Sequence, residues 1–152
     1  MLDVIKIHDN LGQSLDRLRS PLLAAIRLWV SWQFLKAGWL KLASWDTTVD
    51  LFRYEYQVPL LPPTWAAVAG TFGELFFPLL LVLGLCTRAG ALGLFAVNLL
   101  AAVSYWHVLG QDGFEAAVAE HVLWGLMLLL VAVFGAGDYS LDRLLERRRR
   151  AG

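Results

Sequence analysis

The chain has little of what small redox and metal proteins usually use. It holds a single cysteine, Cys86, in 152 residues. One thiol excludes an internal disulfide and a Cys-x-x-Cys centre, so thiol chemistry would need a second chain or a small-molecule thiol. Only three histidines are present, and no His-x-x-x-His spacing marks a metal site, so no metal is expected. No flavin, haem or iron–sulfur motif is recognisable. Thirteen basic and thirteen acidic residues leave no net charge. The basic residues also lack a soluble fold to present them, which argues against nucleic acid. Residues 1–20 contain no continuous apolar core, so a cleavable signal peptide is not expected.

What the chain does have is apolar length. It is 58% hydrophobic, with a mean hydropathy of +0.56. Four apolar stretches cover residues 21–42, 64–85, 88–107 and 117–134. A helix needs roughly 20 apolar residues to cross a bilayer core. The expected fold is therefore an all-α membrane protein: a four-transmembrane-helix bundle over residues 21–135, with the short turn Cys86-Thr-Arg88 between the second and third spans. Residues 1–20 carry a weak apolar stripe (Val4, Ile7, Leu11, Leu15, Leu18) and read as an amphipathic segment lying on the cytoplasmic surface. Residues 136–152 read as a basic cytoplasmic tail ending in Glu146-Arg-Arg-Arg-Arg150.

In the one long connection, Trp45, Val49, Phe52 and Tyr56 recur on one helical stripe opposite Asp46, Asp50 and Arg53. This predicts a short amphipathic helix in the first outer loop, ended by Pro59 and Pro62-Pro63. Lys6, Arg17, Arg19, Arg88, Arg143 and the arginine run share the side of the termini. By the positive-inside rule both termini face the cytoplasm of a bacterial inner membrane.

Glu74 is the first functional candidate. A carboxylate near mid-depth costs about 2.5–3.5 kcal/mol on insertion scales and is too short to snorkel. Pro78, four residues on, removes the helical partner of the Glu74 carbonyl. On the first span Arg27, Ser31, Phe34, Gly38 and Lys41 fall within about 40° of one line, at 100° per residue. Lys36 lies opposite, among Trp29, Trp32 and Trp39. If the first two spans pack side by side, Arg27 is the natural counter-ion of Glu74, while Lys36 and Lys41 snorkel outward. The bland alternative is an Arg27–Glu74 pair that only fixes helix register. Asn98, mid-depth on the third span, could reach the same cluster. A second group comprises Tyr105, Trp106, His107, Glu120, His121 and Trp124. It could bind a divalent metal, though no local metal signature supports this, relay a proton, hold a quinone headgroup, or form an ordinary interfacial belt.

Several of these pieces together resemble the DoxX family of small four-helix bacterial membrane proteins. They are Arg27 with Phe34-x-x-Ala37-Gly38-x-x-Lys41; Gly73-Glu74-Leu75 and Pro78; Leu83-Gly-Leu-Cys-Thr-Arg88 with Ala91; and Phe134-Gly-Ala-Gly-Asp-Tyr-Ser-Leu-Asp142. The similarity runs from about Ala24 to Leu144. Asp138 departs from it, standing where the family often has a basic residue. The resemblance implies a subunit of a quinone-linked oxidoreductase complex; relatives are also tied to redox-stress complexes or metal-peptide gene clusters. On that reading Glu74 and Arg27 are the catalytic candidates, and Asn98, His107, Glu120, His121 and Trp124 the substrate-binding ones. Quinone is the ligand through which electrons would pass, unless a partner carries them. The alternatives are a non-catalytic accessory or transport-like protein for a small solute, metal ion or metal-binding peptide, and a membrane scaffold for a soluble enzyme. The small-residue faces permit a homodimer without requiring one.

Overall fold

The structure is a computed structural model that describes residues 2–56, 58 and 60–152, with side chains from Leu11 onward. Pro59 and the side chains of Val4, Lys6 and Ile7, all used in the reading above, lie outside the described residues. The described residues form helices and no strand: α1 (Leu2–Ala43), α2 (Trp45–Tyr54), α3 (Pro63–Leu83), α4 (Thr87–Ser104), α5 (Trp106–Leu109), α6 (Glu115–Phe134) and α7 (Leu141–Ala151). Helices α3, α4 and α6 are long and apolar enough to cross a membrane. Over residues 21–42, α1 is less apolar because Arg27, Lys36 and Lys41 interrupt it.

Packing follows chain order. Helix α1 lies against α3 and α6, and α4 against α3 and α6, which closes a ring of four helices. At its centre Val30, Phe34, Leu81, Ala91, Leu94, Leu128 and Val131 form one buried cluster. The polar stripe of α1 faces inward: Arg27, Ser31, Phe34 and Gly38 are buried, whereas Lys36 is exposed beside Trp32. Glycines let the backbones approach. A Cβ on Gly38 would come within 2.9 Å of the Leu75 side chain, and one on Gly73 within 2.6 Å of Val97.

Two expectations need correcting. Helix α1 runs unbroken through Pro21, so residues 2–20 extend the first helix and are not a separate segment. An interior proline loses the bond its missing N–H would have made and crowds the carbonyl four residues back, yet α1 continues through it. The stretch 88–107 is also not one helix. It stops at Ser104, turns at Tyr105 and restarts as the single turn α5.

The connection after α6 fastens the end of the bundle that carries both termini. Gly84 ends α3 in the left-handed region (φ 65°), and Cys86 follows at φ 47°. The Asp142 carboxylate accepts hydrogen bonds from the backbone N–H groups of Cys86 (2.8 Å) and Thr87 (2.9 Å), capping α4. Ser140 caps α7 by accepting from the Arg143 N–H. The Ser20 hydroxyl donates to Asp138 at 2.7 Å.

Candidate functional site

Glu74 has a partner, and it is Lys41. The Lys41 ammonium donates to both Glu74 oxygens at 2.7 Å. The two side chains are 15% and 8% exposed, so the pair is nearly withdrawn from solvent. Both helices contribute to this placement. Gly38 sits against Glu74 and Leu75, and Lys41, one turn further along α1, reaches back across the contact.

Arg27 is not the counter-ion. Its guanidinium lies against Gly84 and donates to the Tyr139 carbonyl at 2.6 Å, holding the post-α6 connection. The reason is register. Antiparallel helices that bring Gly38 to Glu74 bring Arg27 to Gly84, about 16 Å along the axis at 1.5 Å per residue. Arg27 thus belongs to the fastening of the terminal end. Asn98 is not part of the Glu74 cluster either. Its amide donates to the His121 carbonyl and its oxygen meets His121 Nδ1, each at 2.9 Å, tying α4 to α6.

The second expected group is only partly assembled. The His121 ring stacks edge-on against Trp124, with centroids 5.2 Å apart. His107 and Glu120 are exposed; His107 contacts Tyr105 and Gln111 rather than His121. Among the described residues no three His, Cys, Asp or Glu side chains come together as a metal site.

The Lys41–Glu74 pair lines a cavity of about 320 Å³ between α3 and α4, beneath α2. Its other walls are almost wholly apolar and include Ala66, Gly70, Phe77, Gly93, Val97 and Leu100, with Phe52 and Tyr56 as the cover. The aromatic stripe of α2 faces inward, packing Phe52 on Ala66 and Ala67. The Thr48 hydroxyl pins α2 to α1 by donating to the Lys41 carbonyl at 2.9 Å. Ala69, Ala96 and Leu100 also line the cavity and are exposed, so it opens sideways between α3 and α4. Burial, reinforced by the negative charges of Glu74 and Glu55 and by Tyr105, pushes the Tyr56 hydroxyl up to about 12. Tyr56 is therefore a neutral donor at ordinary pH. Lys41, Tyr56 and Ser104 had no place among the site residues chosen from the sequence. The signal for Lys41 was present, since it shares the inward stripe of Arg27, Ser31 and Gly38.

A chain with three membrane-length apolar helices and a buried ion pair beside an apolar cavity is a small all-helical membrane protein. Residues 22–107, more than half the chain, match the DoxX family, to which the chain therefore belongs. It is 27% identical over 131 residues to an uncharacterized protein of Haemophilus influenzae, covering 82% of this chain and 83% of that one. No solved structure matches it significantly.

Proposed function

We propose that the chain is a membrane subunit of a quinone-linked redox system, and that quinone binds in the cavity beside Lys41 and Glu74. The observation that carries this reading is an ion pair at the wall of an otherwise apolar, laterally open cavity. Ligand pockets typically run about 300–1,000 Å³, mostly apolar with a few fixed polar groups, and this one falls within that range. A lateral opening suits a ligand that arrives through lipid. The ammonium has three donors. Glu74 takes two of them, and the third is free for a ligand carbonyl. Charge gathering on that oxygen during reduction is stabilised by Lys41, and Glu74 can exchange the accompanying proton. In this reading electrons come from a partner.

In the same reading residues 21–42 of α1 join α3, α4 and α6 as a fourth span, giving a four-helix bundle in the bacterial inner membrane. Helix α2 lies at the outer interface, and the basic α7 faces the cytoplasm, as the distribution of Lys and Arg requires. Titrating the protein in lipid nanodiscs with duroquinone, followed by calorimetry, tests the site. Its fully methylated ring cannot alkylate Cys86. Wild type binds, and Lys41→Met and Glu74→Gln weaken binding at least tenfold. Unchanged affinity in both variants would remove the site from consideration.

A further inference from the structure

Four buried hydroxyls, those of Ser31, Thr71, Thr87 and Ser104, have no hydrogen-bond partner among the described residues. Of these only Ser104 lines the Lys41–Glu74 cavity. It is 2% exposed, and the cavity is the open space it borders. Leaving a buried donor unmade costs roughly 1–3 kcal/mol, and nothing in the packing of α4 makes that cost necessary.

Position adds to this. Gly73, next to Glu74, lies against Val97. Ser104, two turns further along α4, is about 10 Å closer to the α2 end than that contact. The cavity is therefore bordered by polar groups at two levels along α4, Lys41–Glu74 near Val97 and Ser104 two turns on, with mostly apolar residues in its other walls. An axial offset of about 10 Å is similar to the length of a six-membered ring bearing an oxygen at each end with two hydrogen bonds of about 2.8 Å each.

We propose that Ser104 is the second headgroup contact of this cavity, donating to the ligand oxygen opposite the one held by Lys41, and so selects rings with two opposed acceptors over rings with one. The inference rests on the quinone reading of the Lys41–Glu74 cavity and adds a residue and a selection rule to it. A site built to hydrogen-bond a ligand group rejects an analogue that leaves its own buried group unpaired. Ser104 orients the ring so that one carbonyl faces Lys41 and the other Ser104, and Tyr56, which covers the cavity, lies over its face.

The test uses nanodisc-embedded protein and two probes: duroquinone, and tetramethylbenzaldehyde, a tetramethylated six-membered ring that carries a single, exocyclic carbonyl. Ser104→Ala should weaken duroquinone about fivefold to tenfold and leave tetramethylbenzaldehyde unchanged. Ser104→Thr, which keeps the hydroxyl, should restore duroquinone binding. Equal losses for the two probes, or no loss for either, would overturn the assignment of Ser104 while a loss in Lys41→Met left the site itself standing. Full duroquinone affinity in Lys41→Met would overturn the reading on which the assignment rests.

Discussion

Replacing Lys41 by methionine leaves the Glu74 carboxylate with neither its charge partner nor its two hydrogen bonds. The pair is made at 2.7 Å to both oxygens, and Glu74 is 8% exposed, so solvent replaces little of what is lost. Breaking a buried pair from one side costs about 3–5 kcal/mol. Lys41 is slightly more open than Glu74, which places the expected loss near the lower end, about 3 kcal/mol. Glu74→Gln is milder, about 1–2 kcal/mol, because the amide still accepts a hydrogen bond and the lysine can extend toward the membrane boundary. Lys41→Met combined with Glu74→Gln removes both charges and should be less damaging than the sum of the two, by about 2 kcal/mol. Equilibrium unfolding in mixed micelles by SDS titration, followed by circular dichroism, measures all three. Arg27→Met provides the control: it destabilises the bundle, yet its effect adds to that of Glu74→Gln within about 0.5 kcal/mol. Simple additivity for Lys41 and Glu74, or coupling between Arg27 and Glu74, would refute the pairing described here.

Other outcomes follow from separate parts of the molecule. Gly38→Leu pushes α1 from α3, because even a Cβ meets Leu75 at 2.9 Å and Glu74 at 3.1 Å; it should cost about 1–3 kcal/mol and weaken quinone binding. At the terminal end the Ser20 hydroxyl, aided by Arg143 and Arg147, holds the Asp138 carboxyl below its usual range. A lowered folded-state value stabilises above the unfolded one, near 3.9, and is lost as pH falls through the folded one. Protection of the Asp138 amide, whose N–H is bonded to Ser20 Oγ, should therefore fall in strong acid relative to its intrinsic exchange rate, and Ser20→Ala should show that lowered protection already at neutral pH. For Tyr56 the sign reverses. Its raised value stabilises below about pH 10, and the contribution fades as pH climbs toward about 12. Ultraviolet titration should show late tyrosine absorbance that is reduced in Tyr56→Phe.

Much of the frame could be read from residue spacing. The inward stripe of α1 follows from helical period alone, whereas the short turn expected at Cys86-Thr-Arg88 falls at Gly84-Leu-Cys86, because Thr87 and Arg88 already belong to α4. The aromatic stripe of α2 was equally plain, although only packing shows that it covers a cavity rather than meeting lipid. The site was less legible because pairing depends on register between helices, which one chain's periodicity does not carry. Glu74 stood out as a short charge far from water. Its partner was misassigned because Arg27 and Lys41 lie on the same stripe, and choosing between them requires knowing that Gly38 meets Glu74. His107, Glu120 and His121 were grouped by proximity in sequence to one membrane boundary. The break at Tyr105 turns His107 away, leaving His121 to Asn98. Ser104 had no sequence signal at all; a lone serine at the end of an apolar helix is unremarkable until its hydroxyl is found buried and unpaired beside a cavity.

The most direct measurement of the central claim is photolabelling with an azidoquinone in lipid nanodiscs, followed by mass-spectrometric mapping of the adducts. A second apolar cavity, lined by Asn98 and His121, lies between α4 and α6 and offers the natural competitor. The account predicts adducts on the α2 segment around Phe52–Tyr56 and on the α3 and α4 walls at Gly70–Phe77 and Gly93–Val97, suppressed by excess duroquinone and lost in Lys41→Met. Adducts confined to Trp106, Val118 and Val122, indifferent to Lys41, would contradict it.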